Sequence, residues 1–150
     1  VSDLQFVDSD GHVIETGTMV ADMANHAPAK FRERILSERG ITREVAEFHE
    51  PTPEDSTSDR LMNPMMRPGG HQVAPRLHDM DSEGIGVSVL YPTFLLGVQS
   101  EADVDWADAQ CQAYNNWLSD HVSATDGRLW GAAVVPQQDI ERAAAEIRRA

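Results

Sequence analysis

Residues 75–93 read PRLHDMDSEGIGVSVLYPT, and the way this stretch divides decides the fold. Its first part, Pro75–Glu83, predicts a short helix, with Gly84 as the residue that ends it. Its second part, Val87–Tyr91, is an apolar, partly β-branched run stopped by Pro92. A strand buried on both faces of a parallel sheet looks like this, because no solvent side calls for alternating polar residues. A helix followed by a buried strand is part of a repeating unit, and the flanking sequence continues it.

Toward the C-terminus, Ser100 with Asp103 resembles a capping box. The helix it opens is expected to run to about Ser123, with Ala107, Cys111, Tyr114, Leu118 and Val122 as its apolar stripe. Asp126-Gly127 reads as a turn, and Leu129–Val135, closed by Pro136, as a second buried strand. Asp139 can cap a last helix, where Ile140, Ala143, Ala144 and Ile147 recur at helical spacing. Toward the N-terminus, Ile41–Gly70 loses regular pattern and has prolines at 51, 53, 64 and 68. It reads as a long insert loop with a turn of helix near Thr42–Phe48, and both a site-lining loop and a disordered segment remain open for it. Pro28–Arg39 predicts a helix with Gly40 beyond its end. Thr18–Ala27 is weakly periodic, with a helical turn around Met19–Met23. Gln5–Val7 is a short strand leading into Asp8–His12.

The order is β, long insert, α, β, α, β, α, which argues for a parallel α/β sheet. The last helix still carries its apolar stripe at Ala150, and three parallel strands leave open edges. The expectation is that residues 1–150 are one incomplete domain, the N-terminal part of a longer chain, and that alone they associate or dissolve poorly. A homo-oligomer is compatible with such edges.

Across 150 residues, 41% hydrophobic and 25% charged, the composition is that of a globular domain with a core. A formal net charge of −13 repels phosphate backbones and argues against nucleic acid as a partner. No apolar run approaches the ~20 residues that span a bilayer, and Val1–Asp10 lacks the pattern of a signal peptide. The single cysteine, Cys111, fits a reducing compartment, so a cytoplasmic location is expected.

Chemistry concentrates in Gln5–Glu15, QFVDSDGHVIE. On a strand, residues two apart point to one side, so Asp10 and His12 would offer a carboxylate and an imidazole to one point. A divalent metal accepts that pair. Spacing alone favours a different reading, a solvated Asp10-Gly11 hairpin turn between Val7 and Val13. A calcium loop built around Gly11 fails, since Phe6 and Gly17 would stand at its carboxylate positions. Asp8 lies on the Asp10 face of an ideal strand, either supporting a ligand or as an ordinary exposed carboxylate. Glu15 either lines a pocket or caps the next segment. Tyr91 and Thr93 flank the end of the second strand, where pocket lining and simple strand termination weigh equally. His71 and His78 share no metal spacing, and nothing requires His26 or His49 near a site. Cys111, Trp106, Trp117 and Trp130 are read as packing.

Three blocks, FVDSDGHVIE, RLHDMDSEGIGVSVLYPT and QAYNNWLSDHVSATDGRLWGAAVVPQQDIERAAAEIRRA, in this order and spacing resemble the amidohydrolase-related family. This is the branch of the metal-dependent amidohydrolase superfamily that includes aminocarboxymuconate-semialdehyde decarboxylase and the resorcylate-type decarboxylases. The likeness covers Gln5–Glu15 and most of Arg76–Ala150. It implies a (β/α)₈ barrel of roughly twice this length or more, of which this chain supplies about three βα units with the long insert after strand 1. It also reverses the weighing above: Asp10 and His12 match the family's Asp/Glu-x-His form and inherit a metal-ligand role for one divalent ion, Zn²⁺ or Mn²⁺. Glu15, Tyr91 and Thr93 become substrate-pocket candidates. The remaining ligands and the catalytic acid/base are expected beyond Ala150. The implied activity is non-oxidative decarboxylation of an aromatic or unsaturated carboxylic acid, with hydrolysis of an ester, lactone or amide as the runner-up. A non-catalytic fragment or binding module is the reading from another class.

Overall fold

The computed structural model describes the backbone of residues 6–39 and 67–150, with side chains throughout except at 17, 18, 38 and 39. The expected Thr42–Phe48 turn, the Gly40 stop and most of the insert lie outside these residues. Three strands, β1 (Phe6–Val13), β2 (Ile85–Pro92) and β3 (Leu129–Gly131), form a parallel sheet in the order β1-β2-β3. Between β1 and β2 come α1 (Gly17–His26), α2 (Arg32–Arg39) and α3 (Val73–Glu83). Helix α4 (Val104–Ser123) joins β2 to β3, and α5 (Ile140–Arg149) follows. This is the βα alternation expected from the sequence.

Local chemistry explains the boundaries. Gly84 takes φ +73°, a left-handed value that stops α3 without the clash a side chain would bring, and its carbonyl accepts from the Phe6 N–H at 3.0 Å. Asp103, not Ser100, caps α4: its carboxylate accepts from the Trp106 N–H at 3.1 Å, while Ser100 ends a 3₁₀ turn, Leu95–Ser100. Strand β3 is shorter than the expected Leu129–Val135. The Ala132 N–H still reaches the Leu90 carbonyl, but Pro92 closes β2 and has no N–H to extend the ladder. Helix α1 is longer than the predicted turn, because Met19, Val20, Met23, Ala24 and Ala27 make a double-width buried stripe.

Helix α4 is the centre of the core. Its expected stripe, with Ala107, Cys111, Tyr114 and Leu118, packs in one cluster with Val13, Leu95 and Val134. Its other face, Trp106, Ala109 and Ala113, is buried under α1 and α2 through Val20, Ala24 and Ile35. Arg34 locks that contact, stacking over the Trp106 ring at 4.3 Å and pairing with Asp103 at 2.9 Å. Burial pushes the Cys111 thiol up to about 12, so it is an inert packing group. Trp106 and Trp117 are core, as expected, but Trp130 is 60% exposed, its indole N–H donating to the Gly127 carbonyl. In α5 the predicted stripe does not pack among the described residues: Ile140 is 83% and Ile147 66% exposed. The helix docks instead through Glu146 and Arg142, the latter meeting Asp105 at 2.6 Å. None of the described helices is long and apolar enough to cross a membrane.

His121, near the end of α4, stacks on Trp117 with centroids 4.8 Å apart. Burial, then the positive charge of Arg76, lowers its pKa below 6.5. The unfolded chain therefore binds a proton that the folded chain refuses. The stability this contributes is complete above the unfolded pKa and is lost as pH falls through 6.5 toward the folded value. Urea midpoints measured between about pH 7 and pH 5 should fall, and His121→Phe, which keeps the ring contact, should flatten that slope.

Candidate metal site

Parallel pairing brings the C-terminal ends of β1 and β2 to one rim. The register sets His12 beside Tyr91 and Val13 beside Pro92. One face of the sheet is covered by helices, where Gly11, Val13, Ser88 and Leu90 are buried. The other carries Val7 at 65% exposure, His12, Tyr91 and Trp130. His12 therefore projects on the open face at the carboxyl end of the strands.

Asp8 and Asp10 do not share a face, contrary to the ideal-strand expectation. Between Asp8 and Gly11 the first strand takes three steps while β2 takes two, from Ser88 to Leu90. This bulge turns the chain over. Asp8 bends toward the covered face, where the Ser88 hydroxyl donates to its Oδ2 at 2.7 Å and the Asp10 N–H to its Oδ1 at 3.1 Å. A Cβ on Gly11 would lie 2.4 Å from Ser88 Oγ, 2.8 Å from Asp8 Oδ2 and 3.0 Å from the Val89 carbonyl. Only glycine allows this approach, so the residue between the two ligand candidates serves the bulge that aims them.

Asp10 and His12 come together as expected, with Oδ1 4.0 Å from Nε2. Their side chains are 90% and 39% exposed. The other imidazole nitrogen, Nδ1, lies 3.3 Å from Thr93 Oγ1. With that nitrogen engaged, Nε2 faces the Asp10 side, the orientation a ligating histidine uses. A carboxylate and an imidazole converging at an accessible rim suit a borderline divalent ion, so the residues present fit two ligand positions. Among the described residues no group of three or more His, Cys, Asp or Glu side chains gathers in metal-binding geometry.

Tyr91, 38% exposed, lies on the open face with its ring 6.2 Å from that of His12. Glu15 is 7% exposed, and its carboxylate accepts from the N–H groups of Thr93, Phe94 and Leu95 at 3.1, 2.9 and 3.2 Å. Its negative charge also adds to burial in raising the Tyr114 phenol's pKa. Arg76 went unremarked in the sequence. Its Nη2 donates to the His12 carbonyl and, at 3.1 Å, to that of Gly70, which also accepts from the Ile14 N–H at 2.9 Å. Arg76 thereby ties the rim of β1 to the end of the insert. Its sequence signal was weak, a lone arginine at the start of a short helix. His71 and His78 remain off the rim pair, and His26 pairs with Asp120 at 3.6 Å.

Asp10 and His12 thus stand at the carboxyl ends of parallel strands, the end that carries the active site in barrel enzymes. Residues 7–150 match the amidohydrolase family model, and the chain belongs to that family. No curated protein sequence matches significantly. Among solved structures, an amidohydrolase from Mycobacterium avium subsp. paratuberculosis K-10 is similar with a TM-score of 0.65 at 17% identity, over 99% of this chain and 47% of that one. A dihydroxybenzoic acid decarboxylase from Polaromonas sp. JS666, with bound manganese and the inhibitor 2-nitroresorcinol, gives 0.55 at 22%, over 97% and 34%. A 2,6-dihydroxybenzoate decarboxylase complexed with 2,6-dihydroxybenzoate gives 0.54 at 18%, over 97% and 36%. The chain thus spans less than half the length of each. At these identities the likeness establishes the fold: three successive βα units of a (β/α)₈ barrel. The family and these neighbours are enzymes.

Proposed function

We propose that Asp10 and His12 hold part of a mononuclear metal centre in a carboxy-lyase that decarboxylates an aromatic or unsaturated carboxylic acid without oxidation. The supporting observation is the convergence of Asp10 Oδ1 and His12 Nε2 at the carboxyl rim of β1. Zn²⁺ or Mn²⁺ suits this donor pair. When bound, the ion supplies a Lewis-acid anchor for a substrate carboxylate and an adjacent oxygen. Thr93 orients the imidazole, and Tyr91 offers a ring edge against which a planar substrate packs. The proposal assigns the remaining ligands, and the acid that protonates the carbon as CO₂ leaves, to residues following Ala150 in the full-length protein.

Hydrolysis of an ester, lactone or amide is the second reading, favoured by the match to an amidohydrolase at the higher TM-score of 0.65. Full-length protein should be assayed for CO₂ release on a panel of aromatic carboxylates, beside a panel of esters, lactones and amides. The expected result is turnover of the first panel that a chelator abolishes and Zn²⁺ or Mn²⁺ restores. Turnover confined to the second panel selects hydrolysis. Turnover indifferent to metal overturns both, and no turnover with metal bound selects the binding-module reading.

A further inference from the structure

We infer that Glu15 is a positioning residue that sets the orientation of the His12 imidazole through Thr93; the consequence for metal binding rests on the metal-site reading above. A carboxylate buried to 7% exposure is costly unless its oxygens are fully engaged. Glu15 meets that demand with three successive backbone N–H groups, those of Thr93, Phe94 and Leu95. They belong to the turn that leaves β2 and opens the 3₁₀ segment Leu95–Ser100, and successive backbone N–H groups in such a turn favour an anion. The carboxylate, just past the end of β1, therefore fixes a loop some 80 positions away in sequence.

The fixed loop carries one functional group to the rim. Thr93 gives its N–H to Glu15 and holds its hydroxyl 3.3 Å from His12 Nδ1. A neutral imidazole has one N–H and one lone pair. The Thr93 hydroxyl can accept from an Nδ1–H or donate to an Nδ1 lone pair, and either bond holds the ring with Nε2 toward Asp10, 4.0 Å from its Oδ1. A cation at Nε2 needs the lone pair there, which the hydroxyl accommodates by accepting from Nδ1–H. Carboxylate, backbone amide, hydroxyl and imidazole thus form one linkage from a buried anchor to an exposed ligand, and it holds the ring in the ligating orientation. Glu15 touches neither ion nor substrate in this arrangement.

Thr93→Val separates the parts of this linkage. It removes the hydroxyl but keeps the branched shape and the backbone N–H that Glu15 holds, so the loop stays anchored. In metal-free full-length protein, the His12 ¹⁵N shifts should move in Thr93→Val, which removes the hydrogen bond at Nδ1, and return in Thr93→Ser. Glu15→Gln, which leaves fewer acceptor sites for the same three donors, should move them in the same direction. Titration with Mn²⁺ and with Zn²⁺ should show dissociation constants raised about 10- to 100-fold in Thr93→Val, the usual effect of losing a ligand's hydrogen-bond partner, with Thr93→Ser near wild type. Unmoved His12 shifts in Thr93→Val discard the linkage whether or not metal binds. Shifts that move in a protein that takes up neither ion keep the linkage and discard the metal reading.

Discussion

Asp10→Ala combined with His12→Ala is expected to empty the metal site of the full-length protein while leaving its fold in place. The wild type should carry about one divalent ion per chain, the number for a mononuclear centre in a barrel mouth. The double variant removes two donors at once, so its loss of affinity should exceed the roughly 10- to 100-fold that a ligand's supporting partner alone is worth. The fold should survive because neither side chain carries packing. Asp10 is 90% exposed, and His12 contributes one contact to a hydroxyl and a tilted ring at 6.2 Å. Surface changes of this kind move the thermal midpoint by about 2 °C or less. Elemental analysis and a melting curve on the same preparation therefore give a clean answer. Undiminished metal in the double variant would sink the assignment of these residues, and a collapsed melting curve would show that β1 depends on them in a way the structure does not suggest.

What the sequence made legible was local. Gly84 and Pro92 punctuate β2 whatever lies around them, and the apolar runs at 87–91 and from Leu129 onward needed no partner to be recognised as buried strands. The spacing of Asp10 and His12 was ambiguous: it favoured an Asp10-Gly11 turn, where the structure has a continuous strand through Val13 that sets the two side chains near each other. The faces of Asp8 and Asp10 were not legible, because the bulge between them is set by registration against Ser88 and Leu90, residues 80 positions away. The second buried face of α4 was legible only at Trp106, read as packing; Ala109 and Ala113 look incidental until α1 and α2 cover them. Glu15 shows the limit most clearly. A lone glutamate after a motif says nothing of three amide donors in a loop it meets only on folding. Ile140 and Ile147 err in the other direction, since a regular stripe announces a face without naming what it packs on.

Asn115→Leu is expected to destabilise the protein by about 3–5 kcal/mol, because one side chain there satisfies groups from two other elements. Asn115 is 6% exposed on α4. Its Nδ2 donates to the Val134 carbonyl at 2.8 Å and to Glu146 Oε1 at 2.6 Å, and its Oδ1 accepts from the Val134 N–H at 2.8 Å. Val134 lies just past β3, where the sheet ladder has ended, so the amide takes over both backbone groups that the ladder no longer pairs. Glu146 is 2% exposed and keeps only the Arg149 guanidinium when Asn115 is lost. Leucine branches at the same carbon as asparagine but is bulkier and has no polar atoms, so it leaves a buried N–H, a buried carbonyl and a poorly compensated carboxylate. Each such group costs about 1–3 kcal/mol, and the carboxylate stands at the upper end because its charge is retained. Glu146→Gln keeps the shape and an acceptor while removing that charge, so Asn115→Leu should cost less in a Glu146→Gln background than in the wild type. Urea denaturation of the four proteins of this cycle measures the coupling, expected within about 0.5–3 kcal/mol. Equal costs in both backgrounds would mean that α5 is held by Arg142 and its acidic partners instead. The strand end, α4 and α5 are then fastened by a single amide, and the third strand's carboxyl end is held in line with the rim that carries His12.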